Sequence, residues 1–314
     1  MKAQTWPSLA AQLELSKQLF GATGPKRLQS WFDDQFARID DPAFARLFSE
    51  HIALPGIAEQ DFNHRHVRSR NGSLLGGIRF FGGDTARPFV EIIAHTFPEN
   101  VEGIEALANL VASEWQAFKP QHFRLLLAPE QLNSFDGTRP ALIDMSIHAA
   151  QYKNIRRPIG RVVLAPFETA NAAIELVEQR YLDVAEHDPE LARNISAADP
   201  QDMRIWHDAG LVRAITACDR TVGLLAIAPS AVEWIDGDEV TEEVITTPHI
   251  GNGYAAEAQK VWAANANDQN RLLVGTIDRL NPASRRTAEA VGRKAILNYT
   301  FISTSVEPQT TKSP

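Results

Sequence analysis

An α+β chain built as two tandem units is predicted from three observations. Short apolar runs of strand period alternate with segments of helix period, the same order of elements occurs twice, and a glycine pair sits where one strand gives way to a helix. In the second half, Leu211–Cys218 reads as a strand, Asp219-Arg220 as a turn and TVGLLAIA as a second strand. EVTEEVITTP follows as a third strand, GYAAEAQKVWAANAN as a helix, RLLVGTI as a strand and NPASRRTAEAVGRK as a helix. In the first half, FNHRHVRSR and SLLGGIRFF flank an Asn71-Gly72 hairpin turn, and PFVEIIAHTFP is the next strand. VEGIEALANLVASEWQAF then gives a helix and HFRLLLAP a strand. Pro98 and Pro248 hold the same place in the two series, and the following strands open near His122 and Arg271, 24 and 23 residues onward. The halves are therefore 1–155 and 156–303, and the polar tail 304–314 is expected to be disordered.

Composition fits this division. A chain of 314 residues, 44% hydrophobic and 22% charged, can bury two ordinary cores. The N-terminus lacks a basic segment followed by an unbroken apolar one, and no run approaches the roughly 18 apolar residues that span a bilayer. These features predict an unexported, cytoplasmic protein without a membrane partner. Cys218 is the single cysteine, which excludes a disulfide within the chain; it reads as a small buried residue of the strand VRAITACDR rather than a nucleophile. The net charge of −8 argues against nucleic acid and for a small-molecule or peptide partner. A second copy of the chain, as a homodimer, is a further expected partner.

Residues 246–259, TTPHIGNGYAAEAQ, carry the chemistry. Glycines at a helix entry let a ligand approach the backbone, and the free N–H groups of the first turn, with the positive end of the helix dipole, suit a phosphate. His249 borders the turn, while Tyr254 and Trp262 on the following helix read as packing residues. Gly251-x-Gly253-x-x-Ala256 also fits a loose dinucleotide fingerprint, with Asp278 ending the next strand where a ribose-binding acid would stand. Against that, Pro248-His249 separates strand from glycines, and too little chain follows Asp278 for further βαβ units. His64 and His66 share one strand face without a third ligand, so a solvated face rather than a metal site is expected.

Ile250-Gly251-Asn252-Gly253-Tyr254-Ala255 resembles the pyrophosphate loop, Gln/Arg-x-x-Gly-x-Gly/Ala, of the GNAT superfamily of acyl-CoA-dependent N-acyltransferases. Downstream, Asn281-Pro282-Ala283-Ser284 followed by AEAVGR resembles the family's Asn-x-x-Ser and Gly-Phe helix, which lies along the pantetheine arm. Two motifs in the family's order make the second half similar to an acetyl-CoA-binding GNAT domain. The first half is reached only through the duplication. The resemblance implies two tandem GNAT-like α+β units, each a mixed, mostly antiparallel sheet flanked by helices. It also implies an N-acetyltransferase that moves an acetyl group from acetyl-CoA, without a metal, to a primary amine of a small molecule or peptide. A CoA-binding module without turnover and an NAD(P)-binding oxidoreductase are the alternatives.

The resemblance further implies an oxyanion donor among the backbone N–H groups at Ile245 or Thr246. Two positions depart from the family. Ile250 replaces a basic or amide residue, and Ala288 stands where a tyrosine often protonates the departing thiolate. Pocket walls are expected from loops at Pro166–Gly210 and Ser230–Asp238. The amine must lose a proton to react, so a base is required. Glu239, Glu242 and Glu243 are the carboxylates of the strand before the loop, and alternation puts Glu242 and Glu243 on opposite faces. Glu242 is the favoured base. Aligning Pro98 with Pro248 lays Asn100–Glu105 over the loop, where Glu102 and Glu105 are expected to cap the helix and repel a diphosphate, leaving a scaffold that binds no CoA.

Overall fold

The computed structural model describes residues 1–135 and 139–305. In chain order the main elements are α1 (Ala10–Phe20), α2 (Gly24–Ala37), α3 (Pro42–Ser49), β1 (Arg65–Arg68), β2 (Ser73–Phe80), β3 (Pro88–His95), α4 (Val101–Glu114), β4 (His122–Leu127) and β5 (Ala141–Gln151). There follow β6 (Val163–Pro166), α5 (Ala170–His187), α6 (Pro189–Ala192), α7 (Pro200–Asp208), β7 (Val212–Ala217), β8 (Arg220–Val232) and β9 (Ile235–Ile245). The chain continues through α8 (Tyr254–Ala264), β10 (Leu272–Asp278), α9 (Pro282–Val291) and β11 (Lys294–Ser303). Two compact units result: Met1–Asp144 with the chain from Leu297 onward, and Met145–Ile296.

In the first unit β1, β2 and β3 pair antiparallel, β3 and β4 pair parallel, and β11 closes antiparallel on β4. Helix α4 makes the parallel crossover. Its Ile104, Leu107, Ala108 and Val111, spaced one helical face apart, bury against Leu74, Ile78, Val90, Phe123 and Ile302. The opposite face meets α2 and the N-terminal segment, where His66 packs between Trp6 and Phe36.

The second unit repeats the plan. Strands β6 to β9 pair antiparallel in sequence order, β9 and β10 pair parallel, and β5 closes antiparallel on β10. Helix α8 places small residues, Ala256, Ala258 and Ala263, against Ile215, Leu225, Ile227 and Leu273. On the other face Ala173, Ile174 and Val177 of α5 and Met203 of α7 cover Val212, Leu224, Ala226 and Val244. Each unit is thus a mixed, mostly antiparallel sheet with helices on both faces.

Several local expectations change. The halves expected at 1–155 and 156–303 differ from the compact units in the last strand of each: β5 belongs to the second unit from Met145, and β11 to the first from Leu297. Pro166–Gly210 holds three helices, and Ser230–Asp238 is the tip of the β8–β9 hairpin, where Val232 pairs with Ile235. Cys218 is exposed, because Cys218 and Asp219, with φ of 48° and 57°, are the two central residues of the β7–β8 hairpin turn. His64 is buried, not solvated: its Nδ1 meets Gln35 O at 2.9 Å and its Nε2 meets Arg79 Nη2 at 2.6 Å. Burial holds its pKa down at about 3. Of the tail 304–314, Thr304 is fixed by its N–H to Gln121 O at 3.0 Å, and 306–314 lie outside the described residues.

Candidate functional site

Strand β9 carries a bulge. Ala226 faces Glu242 while Ile227 faces Val240, so Thr241 is the extra residue, and its Oγ1 donates to Ala226 O at 3.1 Å. The bulge bends β9 away from its parallel neighbour. Pairing with β10 is confined to Leu273↔Asp238 and Val274↔Glu239, and beyond it the two strands diverge. This leaves a gap in the pairing of β9 with β10 from Val240 to the glycine turn.

That turn is built to stay open. A short 3-10 turn, Thr247–His249, leads to Ile250, then Gly251 at φ 83° and Gly253 at φ 73°, which begins α8. Both glycines are left-handed, a conformation that costs other residues roughly 1 kcal/mol or more. A Cβ added at either would meet nothing within 4 Å. No side chain caps α8, so the N–H groups of Tyr254 and Ala255 in its first turn face outward without a capping acceptor. Asn252 braces the turn from within, its Nδ2 donating to His249 O at 3.0 Å, and Ile250 is 50% exposed. Thr246 Oγ1 meets His249 Nδ1 at 2.9 Å and fixes that ring beside the turn. A cation the sequence did not flag also lies here: the Arg161 guanidinium stands 5.5 Å from the Tyr254 ring centroid.

The two suggested oxyanion donors separate. Thr246 N–H donates to Val222 O at 3.0 Å and is consumed by β8. In an antiparallel pair successive N–H groups alternate between partner and outside, so the Ile245 N–H points away from β8, toward the gap. At the start of α9, Asn281 accepts from Ser284 N–H at 3.0 Å, a helix cap that also leaves the Ser284 hydroxyl half-buried. Asp278 accepts from Leu280 N–H at 2.7 Å, an ordinary strand-end turn. The antiparallel course of β6 to β9 is not the parallel sheet of a dinucleotide fold.

Glu242 and Glu243 face opposite sides, as alternation requires. Glu242 is buried toward α5, accepting from Tyr181 Oη at 3.3 Å, Ala198 N–H at 3.0 Å and Glu243 N–H at 3.1 Å. Burial pushes its pKa above the usual carboxylate range, against the pull of those donors. Glu243 faces α8 and accepts from Gln259 Nε2 at 2.8 Å; burial raises its pKa too. Glu239 sits at the last parallel pair. Tyr181, a phenol in contact with Glu242, was not singled out from the sequence because α5 lay in a stretch read as loop. Ala288 is fully buried.

Among the described residues no helix is long and apolar enough to cross a membrane, and no group of three His, Cys, Asp or Glu gathers as a metal site would. No family model and no curated protein matches the sequence. Similar solved structures include a GNAT-family acetyltransferase from Colwellia psychrerythraea, 10% identical, with a TM-score of 0.47 over 86% of this chain and 96% of that one. A GCN5-related N-acetyltransferase from Kribbella flavida is 15% identical, with a TM-score of 0.42 over 84% and 96%. A tandem GNAT protein from the clavulanic acid biosynthesis pathway is 11% identical, with a TM-score of 0.41 over 84% and 89%.

Proposed function

We propose that the chain is a tandem GNAT protein whose second unit is an acyl-CoA-dependent N-acetyltransferase, acting on a primary amine of a small molecule or peptide. The observation that carries this reading is the α8 entry: two left-handed glycines with open space above them, at the end of a strand that diverges from its parallel neighbour. Backbone N–H groups of Gly251, Asn252, Gly253, Tyr254 and Ala255 would hold the pyrophosphate, with Arg161 adding charge that Ile250 lacks. Asn281 and Ser284 would flank the pantetheine arm.

When bound, acetyl-CoA supplies the thioester acyl group and leaves as the thiol. The transfer forms an N–C bond as the C–S bond breaks, so the amine must give up a proton and the sulfur must gain one. Glu242 is the base in this reading, because burial without a cationic partner raises its affinity for a proton. The Ile245 N–H is the donor for negative charge developing on the carbonyl oxygen. The first unit is a scaffold that binds no CoA.

A second reading, a unit that binds CoA without turning it over, is favoured by Ala288, which offers no phenol from α9. Calorimetric titration with acetyl-CoA and a thiol-release assay with a panel of amines test both. Tight binding with amine-dependent thiol release is expected. Binding without release supports the second reading, and no binding removes both.

A further inference from the structure

Helix α9 ends on Gly292, at φ 106°, with the Gly292 N–H bonded to Glu289 O at 3.1 Å and the Arg293 N–H to Ala288 O at 2.9 Å. In this ending the residue after the glycine ordinarily makes an apolar contact back onto the helix. Here that residue is an arginine, and it is 3% exposed. Its Nε and Nη1 are enclosed and have no hydrogen-bond partner. Burial lowers its pKa to about 10, and Glu243 is the carboxylate whose field opposes that shift.

The guanidinium lies at the divergence of the strands. A Cβ on Gly275, the first β10 residue past the last parallel pair, would stand 3.1 Å from Arg293 Nη1 and 3.7 Å from Val240 Cβ. Glycine is what leaves room for the charge there. Other buried polar atoms of the same unit that lack partners include Nε2 of His148, which pairs across from Gly275 and whose Nδ1 meets Arg293 O at 3.3 Å, and Oε1 of Gln259, whose amide holds Glu243. A buried cation without a hydrogen-bonded anion is strongly unfavourable, so a group retained in that condition calls for an anion from outside the chain.

We propose that Arg293 is a specificity residue that receives a carboxylate carried by one of the two reactants, either the acyl chain of the thioester or the acceptor amine. A planar guanidinium matches a carboxylate in two parallel hydrogen bonds, and the low dielectric around it strengthens them. The inference rests on the proposed acyltransferase reading for the identity of the reactants, not for the existence of the anion site. Arg293 does not touch the bond that changes; it selects what is brought to it.

The test uses the full chain and three variants: Arg293→Gln, Arg293→Met and Arg293→Lys. Thermal melting at matched ionic strength is recorded with succinate against succinamide, and with glycine against glycinamide, so that the acyl and amine sources are separate arms. At least one carboxylate should raise Tm where its amide does not, in wild type but not in Arg293→Gln, with a weaker rise in Arg293→Lys. Arg293→Met should likewise show no carboxylate-dependent rise, which ties the response to the guanidinium charge rather than to a polar side chain. Calorimetry then compares succinyl-CoA with acetyl-CoA, and turnover compares glycine with glycinamide. A preference of about tenfold, equal to 1.4 kcal/mol, is expected in one arm and should vanish in Arg293→Gln. Equal response to acid and amide in both arms, or a preference that survives Arg293→Gln, overturns the site. If acetyl-CoA binds normally in that case, the proposed function stands without it. An Arg293-dependent carboxylate response with no CoA binding keeps the site and removes the proposed function.

Discussion

The same crossover opens differently in the two units. At the start of α4, Asn100 turns its side chain onto Gly103 N–H at 2.9 Å, and a Cβ on Gly103 would stand 2.0 Å from Pro98 O. That helix entry is capped and filled by its own chain. At the start of α8 the cap is a left-handed glycine, and the space above both glycines is open. The capping role expected of Glu102 and Glu105 belongs instead to Asn100. Glu105, the fifth helical residue and past the free N–H groups of the first turn, makes a two-pronged contact with Arg139, at 2.7 and 2.6 Å. Charges at the strand divergence contrast in the same way. Arg124, in the last parallel pair of the first unit, is held by Glu91 at 2.6 Å and Asp144 at 2.7 Å, whereas Arg293 has no such partner. The first unit satisfies these groups from its own chain, and the second leaves them open.

The largest test of that contrast is Gly253→Glu. The side chain would add a negative charge and some left-handed strain, but no clash, at the open entry. Acetyl-CoA affinity should fall by about 1000-fold or more, against a stability loss of order 1–2 kcal/mol. Calorimetry alongside denaturant unfolding reads both. One site per chain is expected in the parent, and a second site surviving in the variant would mean that the α4 entry is not closed to CoA.

Next is Glu242→Gln, expected to lower turnover by about 100-fold at neutral pH and to recover as rising pH deprotonates the amine unaided. In the parent, the acid limb of kcat/KM should lie above the ordinary glutamate value of 4.5, since burial raises this carboxyl. A uniform loss at every pH would make Glu242 a structural residue. The same recovery at Glu243→Gln, with Glu242→Gln silent, would move the base to the α8 face.

Tyr181→Phe is a finer probe. Its hydroxyl donates to the ionised form of Glu242 and so lowers that pKa. Removing it should carry the acid limb upward by up to about one pH unit, a hydrogen bond's worth of free energy. An unmoved limb would separate Glu242 from the pH profile. The smallest effect is at the closed entry. Asn100→Ala removes a helix cap and should cost about 1 kcal/mol in unfolding free energy while acetyl-CoA affinity and stoichiometry stay the same. A loss of acetyl-CoA affinity in this variant would give the first unit a part in binding.

Much of the candidate site's geometry was legible because it is local. Left-handed glycines at a strand-to-helix turn announce themselves through residue type, as does the Asn281 cap, and strand alternation alone separates Glu242 from Glu243. The turn falls at Cys218-Asp219, one residue before the Asp219-Arg220 that the sequence suggests, since Cys218 does not advertise positive φ as glycine would. The α5–α7 region reads as loop in the sequence, although Thr169 caps α5 by accepting from Ala172 N–H at 3.1 Å. Its apolar face is sparse, with Ala173, Ile174 and Val177 as the buried contact, so its period is weak.

What the sequence by itself determined is the order of elements from β1 to β4 and from β7 to α9 and the identity of the turn, because both follow from backbone preference and short-range periodicity. Tertiary structure decided the rest. Strands β5 and β11 carry apolar residues that could close on either parallel strand, and the one each chose is a long-range pairing that no local pattern encodes. The bulge at Thr241, which parts β9 from β10, arises from register between strands rather than from a signature residue. Nor could composition reveal that Arg293, in a stretch that reads as a polar helix end, would be sealed against Gly275 without a hydrogen-bonded anion. Burial of a charge is a property of everything packed around it, and only the folded chain supplies that.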